Sequence, residues 1–205
     1  LILLVIIPIS ILFSQKEILN EDIFLNWTFS QDQVYGLNSM NDGVHYTTLE
    51  RGDTISIEKH SYQSGKKVDV LLKSTDIDIK FRSYNFNTDE TLILLETDSE
   101  KIYRYSKKGI YYVYNTVTQE LQKISDKKIR LPRFSPNSKY ISYVYRNNIY
   151  TYNIENKETK KITHKGLPNK IICGATDWVH EEEFGFTQAY QWSPNNDFIA
   201  YYTFN

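Results

Sequence analysis

The chain has 205 residues, a length that suits one domain or part of a larger one, and its 40% apolar and 24% charged content is that of a globular protein. A formal net charge of -1, with no basic run interleaved with stacking aromatics, makes no case for nucleic-acid binding. Cys173 is the only cysteine, so the chain as given holds no internal disulfide, and four scattered His residues with no Cys-x-x-Cys offer no metal spacing and imply no cofactor.

Residues 1–13 are apolar except for Pro8 and Ser10, about the length of a signal-peptide core and short for a membrane span. Ser14 is a small residue placed for cleavage, so the mature part is expected to begin near Gln15 or Lys16. No Met or basic stretch precedes Leu1, and a front truncation is expected. A signal anchor is the alternative if further apolar residues precede Leu1, and a buried core strand is the non-targeting reading. Export to the periplasm, the exterior or a membrane anchor is therefore expected, with residues 1–16 as the targeting segment and 17–205 as the folded domain.

Beyond residue 16 the chain is rich in aromatics, with 17 Tyr, 10 Phe and 3 Trp, which favour pleated, half-buried surfaces. Strands are predicted in order at 44–49, 54–57, 68–72, 91–96, 111–114, 140–145, 149–154 and 198–202, with a further one from Lys160, separated by clusters of Asn, Asp, Gly, Ser and Lys. No long stretch after the targeting segment has a helical period. Asn147-Asn148 reads as a hairpin turn, and residues 155–158 as another.

The strands also repeat. Arg133-Phe-Ser-Pro-Asn-Ser-Lys-Tyr-Ile-Ser-Tyr143 aligns with Gln191-Trp-Ser-Pro-Asn-Asn-Asp-Phe-Ile-Ala-Tyr201. A degenerate copy starts at Phe86 and a fourth near Met40, at separations of roughly 46, 48 and 58 residues. That period is close to one four-stranded blade of a β-propeller. Within each copy the aromatic before Ser-Pro is expected to pack between blades, and Pro presets the turn. The fold expected is all-β: a partial propeller of about four blades. The sequence stops just after a strand, which suggests truncation at the back as well.

The last interval is about ten residues longer than the others, and the excess coincides with residues 177–189. Insertions in repeat proteins map to loops, often on the binding face. This one is expected to form a short helical turn carrying Glu181-Glu182-Glu183 among Trp178, Val179, Phe184, Phe186, Tyr190 and Trp192. Adjacent carboxylates ordinarily sit on a solvated face. Held near apolar surface, they are costly unless a cation meets them. That cation is either an internal Arg or Lys or a ligand such as a peptide α-amine, whose pKa of about 7.7–8.0 leaves it mostly charged at neutral pH.

The string Thr176-Asp-Trp-Val-His-Glu-Glu-Glu183, followed by Trp192-Ser-Pro-Asn, resembles the substrate-amine segment of the dipeptidyl peptidase IV family. The resemblance is strong over residues 131–205 and looser over 20–130. It implies an eight-bladed propeller capping a C-terminal α/β-hydrolase domain, here missing, in a serine exopeptidase that releases X-Pro and X-Ala dipeptides. It places the two acids that hold the substrate ammonium on Glu182 and Glu183. Tyr103-Arg-Tyr-Ser106 before a Tyr-rich strand matches the context of the family's carbonyl-binding arginine, so that role falls on Arg104. His180 stands where the family commonly has Tyr. No Gly-x-Ser-x-Gly nucleophile elbow occurs, so no catalytic residue is assigned here. The partners implied are peptides with a free N-terminus and, since the family is often dimeric, a second copy; contact with a membrane is expected only through an N-terminal anchor. An exported propeller that binds without catalysing is the alternative reading.

Overall fold

The structure is a computed structural model that describes residues 17–31 and 33–205. The expected targeting segment, 1–16, lies outside these residues. The chain forms two compact units, one up to Gln33 and one from Val34. Among the described residues of the first, a short helix, α1 (Asn20–Phe24), buries none of its residues.

The second unit is built of antiparallel strands. The first sheet holds β1 (Asn38–Ser39), β2 (His45–Glu50), β3 (Ser56–Ser61) and β4 (Lys67–Lys73), followed by the one-turn helix α2 (Ser74–Ile77). The second sheet holds β5 (Ser83–Phe86), β6 (Leu92–Lys101), β7 (Lys107–Asn115) and β8 (Leu121–Lys123). In the third are β9 (Arg130–Phe134), β10 (Tyr140–Tyr145), β11 (Asn148–Asn153) and β12 (Thr159–Lys161). After them come β13 (Ile172–Cys173), helix α3 (Trp178–Phe184), β14 (Tyr190–Trp192), β15 (Ile199–Tyr201) and β16 (Thr203–Phe204), with β14 paired to β15 and β13 to β16. Three complete blades and the beginning of a fourth make this a partial β-propeller, the architecture read from the repeat.

The repeat has a local cause. At Met40, Asn87, Ser135 and Ser193 the backbone N–H donates to the carbonyl five residues on, at 2.8–3.0 Å. The residue three places on has positive φ each time: Gly43, Glu90, Ser138 and Asn196. In the last three copies the first side chain closes the turn. Asn87 Oδ1, Ser135 Oγ and Ser193 Oγ accept from the N–H groups of Leu92, Tyr140 and Phe198. Asn87 thus does the work of serine, which is why its copy looks degenerate. Neighbouring turns are also linked to each other: Asn41 N–H donates to Glu90 Oε1 at 2.7 Å, Asn87 Nδ2 to Ser138 Oγ at 3.0 Å, and Asn137 N–H to Asn196 Oδ1 at 2.9 Å.

The core lies between blades. Along β6, Ile93 and Leu95 face the cluster of Leu49, Ile57 and Leu72, while Leu92 and Leu94 face that of Val113, Ile129 and Ile141. Burial on both faces explains why this strand reads as a continuous apolar run. The expected packing of the aromatic before Ser-Pro is found: Trp192 stacks on Tyr140 of the preceding blade, and its Nε1 donates to Ser142 Oγ at 2.7 Å.

Two expectations are corrected. The hairpin turn is Arg146-Asn147, both with positive φ, because Tyr145 pairs with Asn148. Asn148 is needed inside β11, where its buried Oδ1 accepts from Thr163 Oγ1 and the Gly166 N–H. In addition, β6 and β7 run well beyond 91–96 and 111–114. They continue past an irregularity after Thr97 and carry the connecting loop 102–106 outward.

Candidate functional site

The insertion folds as a closed neck with a helix at its tip. Ala175 pairs with Gln188, the Ala189 N–H donates to the Gly174 carbonyl, and Thr176 Oγ1 donates to the Phe186 carbonyl at 3.0 Å. Asp177 caps α3 by accepting from the His180 N–H at 2.9 Å, and Gly185 ends the helix with φ 68°. That donated hydrogen bond, outweighing burial, holds the Asp177 carboxyl below the usual range.

A helix turns about 100° per residue, so the three consecutive glutamates point in three directions. Glu181 is completely buried, Glu182 is half-buried and Glu183 is exposed. The solvated-face expectation thus holds for Glu183 alone.

Glu181 Oε1 accepts two backbone hydrogen bonds from the 102–106 loop, from the Tyr105 N–H at 2.7 Å and the Ser106 N–H at 2.8 Å. Burial opposes ionisation, but these N–H groups and the nearby Arg130 charge hold the Glu181 carboxyl below its usual value. The same loop presents Arg104, whose Nε lies 3.0 Å from Glu182 Oε2. Arg104 and Glu182, singled out in the sequence from positions far apart in the chain, are therefore brought together as an ion pair, with Glu183 on the next position of the helix. Arg104 is 67% exposed, so the pair is open to solvent. A cleft of about 410 Å³, lined in part by Tyr103, Asp177 and Trp178, flanks both segments. His180 lines the segment: its ring lies against Phe204 and Phe184, and its Nδ1 is 2.8 Å from Asp177 Oδ1.

Behind the loop, Glu96 is buried and accepts from Ser83 Oγ, Lys107 Nζ and Tyr111 Oη. Burial pushes its carboxyl up, yet the Lys107 ammonium and the Ser83 hydroxyl outweigh this and hold it below the usual value. For Glu96 and Glu181 alike, the stability conferred is fully present above the unfolded value of 4.5 and is lost as pH falls through the lowered folded value. Thermal unfolding followed from neutral pH to about pH 3 is expected to weaken only below about pH 4.5. Lys107→Met should be less stable at neutral pH and have a shallower acid limb; an equally steep limb would refute the role given to Glu96.

Sequence reasoning missed Glu181, because three like residues in a row carry no signal of which one turns inward. It also did not group Glu50, Glu58 and His60, which alternate on β2 and β3 and meet on one face of the first sheet. Several of their polar atoms already have protein partners: Lys67 Nζ lies on Glu58 at 3.0 Å, and Thr48 Oγ1 bridges Glu50 and His60 Nε2, whereas His60 Nδ1 is buried without a partner.

Residues 87–205, more than half of the chain, match the model of the dipeptidyl peptidase IV N-terminal region. The chain is 31% identical over 198 residues to prolyl endopeptidase FAP of Bos taurus, covering 93% of this chain and 24% of that protein. It is 30% identical over 189 residues to dipeptidyl aminopeptidase B of Saccharomyces cerevisiae, covering 92% and 21%. The solved dipeptidyl peptidase 4 of Porphyromonas gingivalis superposes with a TM-score of 0.82 at 32% identity, over 90% of this chain and 27% of that one. The chain thus spans about a quarter of the length of the curated relatives it matches. The blade repeat, the glutamate helix and the family-model match over more than half of the residues agree, and the chain belongs to the dipeptidyl peptidase IV family, by that family's N-terminal region.

Proposed function

We propose that this region is the substrate-recognition part of a serine exopeptidase that releases X-Pro and X-Ala dipeptides from free peptide N-termini. The observation that carries the reading is the solvent-facing Arg104–Glu182 pair at 3.0 Å, with Glu183 beside it. An arriving α-ammonium takes Glu182 and Glu183 as its counter-charges. Arg104, which has guanidinium donors besides the Nε set on Glu182, then holds a backbone carbonyl of the same peptide. Anchoring the amine sets a ruler, so that only the second peptide bond reaches a nucleophilic serine. That serine would belong to an α/β-hydrolase domain elsewhere in the full-length protein, with a His base and an oxyanion hole acting by the usual triad logic.

An internal peptide segment brings no ammonium and leaves the two acids without their partner, which suppresses endopeptidase cleavage. Glu182 is only half-buried and Glu183 exposed, so the loss is that of charge-assisted hydrogen bonds, about 1.5–3 kcal/mol each, rather than of a fully buried pair. N-acetylation of a peptide substrate, which costs one such bond at each acid, should therefore lower kcat/KM by about 100- to 10,000-fold. Equal cleavage of acetylated and free peptides would sink the amine anchor. The exported location implied by residues 1–16, an N-terminal membrane anchor and a homodimer belong to the same reading. Among the described residues no helix is long and apolar enough to cross a membrane.

A further inference from the structure

We propose that Glu181 is the positioning residue of the recognition site: its buried carboxylate locks the 102–106 loop to α3 and so sets the Arg104–Glu182 spacing on which amine binding depends. This rests on the amine-recognition reading above. Arg104 sits at the tip of a five-residue connection between two long strands, a place where chains are ordinarily mobile. The guanidinium is mostly exposed, and its recorded ion pair is with Glu182. What ties the loop to the helix is the pair of hydrogen bonds from the Tyr105 and Ser106 N–H groups to one oxygen of Glu181.

The chemistry calls for a carboxylate of this length. Glu181 Oε2 and the Nε and Nη2 of Arg130 are buried without hydrogen-bond partners. Arg130 balances the charge of Glu181, since each shifts the ionisation of the other toward the charged state. Gln keeps an acceptor for the two N–H groups, but it removes the negative charge that acts on the Arg130 guanidinium. Asp falls short by one methylene, and Ala removes the acceptor altogether. A carboxylate that only filled space would tolerate Gln; one that tunes the loop would not.

The test is steady-state kinetics on the full-length protein, with Glu181→Gln and Glu181→Asp run beside Glu182→Gln. Glu181→Gln is expected to raise KM for a free-amine dipeptidyl substrate about tenfold with kcat changed less than about twofold, the pattern of a lost binding interaction. Glu181→Asp should be at least as impaired, with no rescue. In the unsubstituted protein the Tyr105 and Ser106 amides should exchange hydrogen slowly, as bonded groups do. If Glu182→Gln raises KM and folded Glu181→Gln does not, Glu181 is only a structural brace and the inference is overturned while amine recognition stands. An unchanged KM in Glu182→Gln would instead sink the recognition reading and this inference with it. Rapid exchange at both amides overturns the lock whatever the variants do.

Discussion

Replacing Glu182 and Glu183 together by Gln in the full-length protein is expected to lower kcat/KM for a free-amine peptide by about 100- to 10,000-fold. Each carboxylate would contribute a charge-assisted hydrogen bond to the ammonium, and such bonds are worth about 1.5–3 kcal/mol each. The same double change should leave the melting temperature nearly unmoved. The ion pair it removes is with an arginine that is 67% exposed, and exposed pairs contribute only about 0–1 kcal/mol. Glu181, which is completely buried, is untouched. Loss of activity with the fold intact would separate recognition from stability. A folded double variant whose kcat/KM stays within about twofold of the parent would remove both acids from substrate recognition.

The second large effect is structural. Gly166→Ala is expected to destabilise the third blade by about 3 kcal/mol or more, among the costlier single substitutions. A Cβ at Gly166 would lie 2.0 Å from the Asn147 carbonyl oxygen and 2.5 Å from its carbon. Backbone atoms cannot step aside as a side chain can. That carbonyl also accepts from the Cys173 N–H at 3.0 Å, so displacing it disturbs β13 and the approach to α3. For a chain of this size the melting temperature should fall by about 6–12 °C. Gly65→Ala is the comparison: it shares positive φ with other turn residues but has nothing within 4 Å of its Cβ. Its cost should be about 1–2 kcal/mol. If Gly166→Ala unfolds no more easily than Gly65→Ala, the close approach of residues 147 and 166 does not constrain the blade.

Much of the fold was legible because its determinants are local. Ser135 and Ser193 each close a turn with their own side chain, so the repeat is written in neighbouring residues. The long apolar run of β6 and the Tyr-rich β10 announce buried strands directly. The edge strands β5, β9 and β14 were not predicted as strands. Arg130-Leu-Pro-Arg-Phe134 has neither alternation nor strong β preference; it joins the sheet because β10 pairs with it, across an irregularity where Leu131 has positive φ. The turn at Arg146-Asn147 was misplaced by one residue for a related reason. Asn147 and Asn148 suit a turn equally well, and the choice is made by Thr163 and Gly166, which claim the Asn148 side chain from across the blade.

For the site, the amino-acid sequence by itself determined the blade period and the inserted acidic segment, and its resemblance to the family nominated Arg104, Glu182 and Glu183 as candidates. Each is a matter of motif, spacing or turn chemistry within a few residues. Only the tertiary structure decided that Glu181 faces inward, that Glu182 meets Arg104 and that Glu183 is left to solvent. Successive helical residues diverge by about 100°, and the helix has no internal preference among three identical side chains. The choice falls to a partner 75 residues away, the Ser106 N–H, which together with that of Tyr105 makes burial of one carboxylate favourable and thereby orients the other two.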